Sequence, residues 1–400
     1  MYVAELDRPW RETPFLFQGF YIESHADIEQ IKRYCAHVFV DGSLNSNPVA
    51  APTLNTHDGR VELEMLKRQA RAHYRPNAYN DASTLAQELE PARAILREAR
   101  AAIANIMEDA RLGRALDAPG ARQQIKAMTQ SIVRNPDALM CLTQLKAKDA
   151  YTVEHSLRVC ILSLAFGRHL GVPEAGLHDL GMGALLHDVG KSKIPLEILN
   201  KPEALTAEEY AIIQTHVPAG VKLLEETHGI PRTVLEIAGG HHERYSGNGY
   251  ARGLKGREIG NAAMITAIVD CYDAMTSDRV YKTAISSHNA LKKMYTWRDR
   301  DFEGRLIEHF IQCMGIYPIG SLVELNTGHV GVVTTINRLR YLRPQVVLVL
   351  NRDKQRYNAP RTVDLLTEMR DETNQSWEIK AVLEPGTYGI QPAALLPKAH

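Results

Sequence analysis

The sequence predicts a mainly α protein: a helical bundle preceded by a small α+β module and followed by a small β appendage. Three observations predict it. Helix-favouring residues and helix punctuation run almost unbroken from about residue 120 to 315. The first 41 residues instead mix short apolar runs with turn residues. After Tyr317-Pro318-Ile319-Gly320 the chain turns to β-rich segments bounded by turns.

In chain order, Phe15 to Ile22 reads as a strand, Ala26 to Cys35 as a short helix, and His37 to Val40 as a strand stopped by Asp41-Gly42. Residues 42–60 are polar and Pro-rich, a linker or mobile loop, so the first module with its linker is 1–60. Ser83 to Leu116 is rich in Ala, Glu, Leu and Arg, which predicts a long helix within a helical connector, 61–120.

Residues 121–320 form the main domain. Asn135-Pro136-Asp137 restarts a helix there, and Pro173 fits the first turn of another. Thr206-Ala207-Glu208-Glu209 is a capping box that opens a helix carrying Ile212, Ile213, His216 and Val217. Pro231 starts one more. Residues 243–258 are Gly-rich and predict a loop. Glu258 to Thr276, Ser286 to Trp297 and Phe302 to Met314 return to helix. In the appendage, 321–400, Val330 to Ile336 and Gln345 to Leu350 read as strands.

Composition narrows the function classes. A length of 400 residues predicts two to three domains. Lys+Arg 47 against Asp+Glu 47 leaves no net charge, which argues against a general nucleic-acid binder or a polybasic membrane binder. The five cysteines are scattered without a C-x-x-C, so they are expected to be reduced. No apolar run approaches the ~18 residues of a membrane span, and no basic-then-apolar leader opens the chain. The expectation is a cytoplasmic protein.

The chemistry concentrates in the helical region. His155, His187, Asp188, His216, His241, His242 and Asp270 each fall on or at the end of a predicted helix. Imidazoles with carboxylates suit divalent ions such as Fe, Mn or Zn, and bundles build metal sites from such residues on facing helices. Adjacent helical residues project ~100° apart, so Asp188 can bridge two ions while His187 binds one. Two ions ~3.5–4 Å apart are a known arrangement for phosphoester hydrolysis. Lys191, three residues after Asp188, can reach a phosphate, or simply end a helix in solvent. Tyr250, inside Gly247-Asn248-Gly249-Tyr250, can stack on a base or pack in an ordinary turn.

His187-Asp188-Val189-Gly190-Lys191, Ile194-Pro195, Ile198-Leu199-Asn200-Lys201-Pro202, His241-His242-Glu243-Arg244 and Gly247-Asn248-Gly249-Tyr250 occur in order. Asp270, Asp273-Ala274-Met275-Thr276 and Arg279-Val280-Tyr281-Lys282 follow. In these motifs residues 145–320 resemble the HD-GYP branch of the HD-domain phosphohydrolases. The first 41 residues resemble the small domain often found ahead of it. The resemblance implies an HD-type helical bundle carrying a metal site, and a metal-dependent cyclic di-GMP phosphodiesterase. Such an enzyme yields linear pGpG, GMP or both by attack of a metal-activated water.

Carried over by position, the seven residues named above match metal ligands. Lys191 matches the lysine on the phosphate, Arg279 and Lys282 match basic residues on the substrate, and Tyr250 matches the family's tyrosine. Asp188 and Lys191 are the catalytic pair implied. The expected cofactors are two divalent ions, Fe or Mn. Members with a third metal carry Glu four residues before the first His, where this chain has Tyr151; Glu154 faces another way on the helix. The expected partners are cyclic di-GMP and proteins docking on the Gly247–Tyr250 loop or the N-terminal module, without nucleic-acid polymer.

Two departures stand out: Ala251 replaces the Pro of G-Y-P, and Ser246 replaces the usual acid. Two alternatives stay open: a hydrolase of another cyclic dinucleotide or nucleotide, set apart only by Arg279, Lys282 and the loop around Tyr250, and a weakly active protein that binds cyclic di-GMP and signals, to which Ala251 and Ser246 lend weight.

Overall fold

The computed structural model describes residues 2–7, 20–22, 25–40, 79–144, 151–277, 284–338, 340–368 and 375–396. The chain divides into two compact units, Met1–His73 and Tyr74–His400.

In the first unit, β1 (Tyr2–Leu6) is the central strand of an antiparallel sheet, between β2 (Phe20–Tyr21) and β3 (Val38–Val40). Helix α1 (His25–Tyr34) packs Ile31 against Val3, Leu6 and Cys35. The Asp7 carboxylate accepts from the amides of Ala36 and His37 at 2.7 and 3.2 Å, which fixes the turn into β3. The sequence pattern did not mark β1. Of the strand expected over Phe15 to Ile22, Phe20–Tyr21 is seen, and residues 11–19 lie outside the described residues. So does the linker at 42–60.

The second unit begins with α2 (Leu85–Leu112), opened by a Thr84–Gln87 capping box and ended by Gly113 at φ 70°. Leu89, Ala92, Leu96, Ala99, Ile103, Ile106 and Ala110 recur every three or four residues and are buried. That stripe makes the expected connector helix an integral part of the bundle. Then come α3 (Ala118–Arg134), α4 (Pro136–Thr143), α5 (Tyr151–His169) and α6 (Glu174–Leu186). From Val153 to His169, α5 is buried on nearly every face, as befits the central helix.

A 3₁₀ turn (Val189–Lys193) leads to α7 (Leu196–Leu199), α8 (Ala207–Gln214), α9 (His216–Glu225) and α10 (Arg232–Gly240). The capping box opens α8 as expected, but the helix does not continue through His216. Pro218 would set its ring against the carbonyl of Gln214, so α8 stops there and α9 starts afresh with Pro218 in its first turn. The helix expected from Glu258 likewise begins later, as α11 (Asn261–Thr276), because Gly260 takes φ 81°. Helices α12 (Ser287–Tyr295) and α13 (Gly304–Met314) complete the bundle.

The appendage is a five-stranded antiparallel sheet of order β7-β6-β5-β4-β8. To β5 (Val330–Thr335) and β6 (Gln345–Leu350) the structure adds β4 (Leu322–Leu325), β7 (Arg356–Asp364) and β8 (Ile379–Leu383). Strand β7 is polar, mostly exposed and carries Pro360, all marks of an edge strand. The sheet docks on the bundle through Arg338, which pairs with the buried Asp137 and lies 3.5 Å from Asp81. Asp81 also accepts from Arg168 of α5 at 2.7 Å.

Candidate metal centre

Five helices and one tight turn converge on Asp188. His155 comes from α5, and His187 ends α6 just before Asp188 starts the 3₁₀ turn. His216 opens α9, His241 and His242 follow α10, and Asp270 lies on α11. The turn can lie against α9 because residue 190 is glycine. A Cβ there would sit 2.0 Å from the His216 carbonyl oxygen and 2.5 Å from the Gly220 nitrogen. The Lys193 ammonium holds the turn from the other side, donating to the Ala110 carbonyl at the C-terminal end of α2 (2.7 Å).

Asp188 divides the ligands into two groups. Its Oδ2 lies 3.4 Å from His155 Nε2 and 3.2 Å from His187 Nε2. Its Oδ1 lies 3.3 Å from His216 Nε2 and 3.7 Å from His241 Nε2. Asp270 joins the first group, 3.2 Å from His155 Nε2. His242 joins the second, its ring 5.1 Å from that of His216. Both groups, His155–His187–Asp188 and Asp188–His216–His241–His242, bring ligand atoms within 4.8 Å of one another. The structure thus gathers all seven expected ligands.

The backbone sets the tautomers. His187 Nδ1–H donates to Ala184 O at 2.7 Å, His216 to Ile213 O at 2.6 Å, and His241 to Ala238 O at 2.9 Å. Each ring therefore turns its Nε2 inward, the nitrogen free to bind a cation. His216 Nε2 and His241 Nε2 face each other at 3.4 Å. His187 Nε2 and Asp188 Oδ1 are buried without a hydrogen-bond partner among the described residues. Such an arrangement is costly unless a cation sits among the lone pairs. The residues fit a divalent metal.

The two groups differ electrically. On one side, burial opposes charge on His155, but hydrogen bonds to Asp188, Asp270 and Asp273 prevail and hold its pKa well above the ordinary value. On the other, burial pushes His241 down to about 4 and, with the neighbouring His241, holds His242 well below its ordinary value. Burial would raise both carboxyls. Lys191 and His187 overcome it at Asp188, and His155 at Asp270, so both stay well below the usual range.

Lys191 is partly buried and lies beside Asp188. It leaves the 3₁₀ turn, and its ammonium pairs with Asp188 Oδ2. Tyr250 stacks on His242, ring centroids 4.6 Å apart and planes 26° apart. Burial raises its phenol pKa. Glu154 turns away, bound to Arg100 of α2. Tyr151 begins α5, its side chain outside the described part of the chain, as are Arg279 and Lys282.

Three residues given no role in the sequence stand out here. Asp273 accepts from His155 Nδ1 at 2.7 Å and from Arg158 at 2.6 Å, orienting the ring as ligand-supporting carboxylates do. Its position three residues after Asp270, on the same helix face, was the available signal. The buried Glu243 accepts from the Arg252 and Leu254 amides at 2.8 and 3.0 Å, folding the Gly-rich loop over the ligands. Tyr210 of α8 meets Tyr250, and only the fold brings them together.

Known proteins resemble this chain along most of its length. An HD domain model matches residues 137–306, a domain of unknown function (DUF3391) residues 1–121, and a KOW domain associated with HD domain residues 322–371. A cyclic di-GMP phosphodiesterase of Pseudomonas aeruginosa is 33% identical over 86% of this chain and 81% of its own. A cyclic di-GMP phosphodiesterase of Thermotoga maritima is 36% identical over 41% of this chain and 45% of its own. A 3'3'-cGAMP-specific phosphodiesterase of Vibrio cholerae is 34% identical over 42% and 32%. A solved HDG"Y"P protein from Bdellovibrio bacteriovorus covers 78% of this chain and 98% of its own, with TM-score 0.48 and 17% identity. Among the described residues, no helix is long and apolar enough to cross a membrane.

Proposed function

The chain belongs to the HD-domain family of cyclic di-GMP phosphodiesterases, and from that premise we propose that it hydrolyses cyclic di-GMP with two divalent ions, Fe or Mn, which the residues grouped about Asp188 would hold. The observation that carries this reading is the division of ligands about that carboxylate, one oxygen toward His155 and His187 and the other toward His216 and His241. His155, His187, Asp188 and Asp270 would hold one ion, and Asp188, His216, His241 and His242 the other. Bound there, the ions supply Lewis acidity and a nucleophilic water at neutral pH.

The chain's own residues do the rest. Asp188, kept ionised by Lys191 and His187, fixes the spacing of the two groups. Lys191 places a positive charge beside the bridge, where a phosphate oxygen gains charge during in-line attack. Arg279 and Lys282 are assigned to the outer phosphate or guanine by motif. The products are linear pGpG, GMP or both. The Gly247–Tyr250 loop and the N-terminal module are assigned to protein contacts, and the protein to the cytoplasm.

Hydrolysis of another cyclic dinucleotide is the second reading, favoured by the cGAMP-specific relative. That relative matches less than half of this chain, whereas the Pseudomonas enzyme matches most of it. The weakly active signalling reading draws on Ser246 and Ala251. Both lie in the loop, where the Ser246 amide donates to the Arg300 carbonyl, and neither is a ligand.

The test is turnover by protein loaded anaerobically with Fe(II) or Mn(II), with cyclic di-GMP and 3'3'-cGAMP in parallel and metal counted per chain. Preferred cleavage of cyclic di-GMP with two ions is expected. Preferred cleavage of 3'3'-cGAMP would establish the second reading, and a reproducible third ion would remove the two-metal assignment.

A further inference from the structure

Helix α8 has no buried residue. It is held by its capping box and by the Lys201 ammonium, which grips Glu209 at 2.7 and 2.8 Å. Three large apolar side chains stay in solvent on α7 and α8: Leu196, Ile212 and Tyr210, the last 47% exposed. These short helices form the segment between Lys191 and His216, and Tyr210 reaches the ligand cluster through Tyr250, which stacks on His242. Tyr210 thus meets Tyr250 on one side and keeps about half of its surface in solvent.

The rings are also ordered. Tyr250 lies parallel to His242, and Tyr210 stands across Tyr250 with centroids 6.3 Å apart and planes 80° apart. A relay of His242, Tyr250 and Tyr210 therefore runs from a metal ligand to the surface. One face of Tyr250 is occupied by the imidazole, which makes it a positioning residue for His242. The ring with open area is Tyr210.

We propose that Tyr210 is a stacking platform for a purine base of the substrate, and so a specificity-determining residue on this side of the site. The proposal rests on the phosphodiesterase reading above. It adds a base-binding position from α8, whose role is to present one flat aromatic surface at the mouth of the ligand cluster. Stacking is tolerant of base identity because every purine has a π-face. Tyr210 would therefore select purine dinucleotides over base-free diesters without separating guanine from adenine.

The experiment compares metal-loaded wild type with Tyr210→Ala, Tyr210→Phe and Tyr210→Trp, on cyclic di-GMP and on bis(p-nitrophenyl) phosphate. Tyr210→Ala should raise KM for cyclic di-GMP by ~10- to 100-fold, the usual consequence of losing one stacked base. The change should appear in KM rather than kcat, with metal content retained. Selectivity for cyclic di-GMP over bis(p-nitrophenyl) phosphate should fall by the same factor. Tyr210→Phe should restore KM, because the ring and not the hydroxyl is used.

An unchanged KM in Tyr210→Ala, an equal loss on both substrates, or failure of Tyr210→Phe to rescue would overturn the proposal. Absence of cyclic di-GMP turnover in the wild type would bring down the functional reading instead. The fluorescence of Tyr210→Trp titrated with GMP then decides the inference separately: quenching supports the platform, and no quenching removes it.

Discussion

Two buried polar clusters sit toward opposite ends of α5, and only one balances itself. At the far end, Arg168 and Arg338 face Asp81 and Asp137, two positive charges against two negative. At the near end, His155 belongs to a cluster of imidazoles and carboxylates in which Lys191 pairs with Asp188 and Arg158 with Asp273. The clusters lie ~20 Å apart by the rise of the helix. The comparison shows how a buried structural cluster differs from a binding one. The first pairs its charges with one another, while the second gathers imidazole nitrogens and carboxylates whose His187 Nε2 and Asp188 Oδ1 are buried without a hydrogen-bond partner among the described residues, and calls for a cation from outside.

The largest effect should come from breaking the open cluster. Replacing His187 and Asp188 together with Ala removes the bridge and one imidazole, and should abolish both bound metal and turnover. Elemental analysis and a phosphodiesterase assay check this, and retention of either would sink the ligand assignment. Breaking the closed cluster should instead cost stability. Asp137→Ala leaves the Arg338 guanidinium buried without its nearest carboxylate, a loss of ~3–5 kcal/mol by urea unfolding. Metal content should stay at the wild-type level, and a simultaneous loss of metal would mean that the clusters are not independent.

Lys191 sharpens the comparison within the open cluster. Lys191→Met keeps the apolar stem and deletes the charge, so kcat should fall by ~10²–10³ with metal content kept. Wild-type kinetics would place the ammonium outside the reaction.

The smallest effect is a pH dependence at the closed end. Burial, with positive charge on His309, Arg338 and Arg168, holds His169 down at about 4. Between the ordinary value of 6.5 and about 4 the unfolded chain therefore takes up a proton that the folded one refuses. Stability attributable to this ring is full above that window and lost as pH falls through it, by at most ~3 kcal/mol. Unfolding of His169→Gln at pH 7 and pH 4.5 should show a shallower decline than wild type. An identical decline would remove His169 as its source.

By itself the sequence determined the order of the bundle's helices, the two strands richest in β-branched residues, and the seven histidines and aspartates that the fold gathers. Those features depend on local signals: capping residues, glycine and proline punctuation, apolar period, and a family's motifs at fixed spacing. Even the break before His216 was written locally, in Pro218. Strands β1, β7 and β8 were not legible, because short or edge strands of mixed polarity become strands only when a neighbour supplies the hydrogen bonds. The two-sided arrangement around Asp188, the hold of Asp273 on His155, and the meeting of Tyr210 with Tyr250 were decided by the tertiary structure. The last two join residues 118 and 40 positions apart, and at such separations the packing of helices determines which atoms face each other.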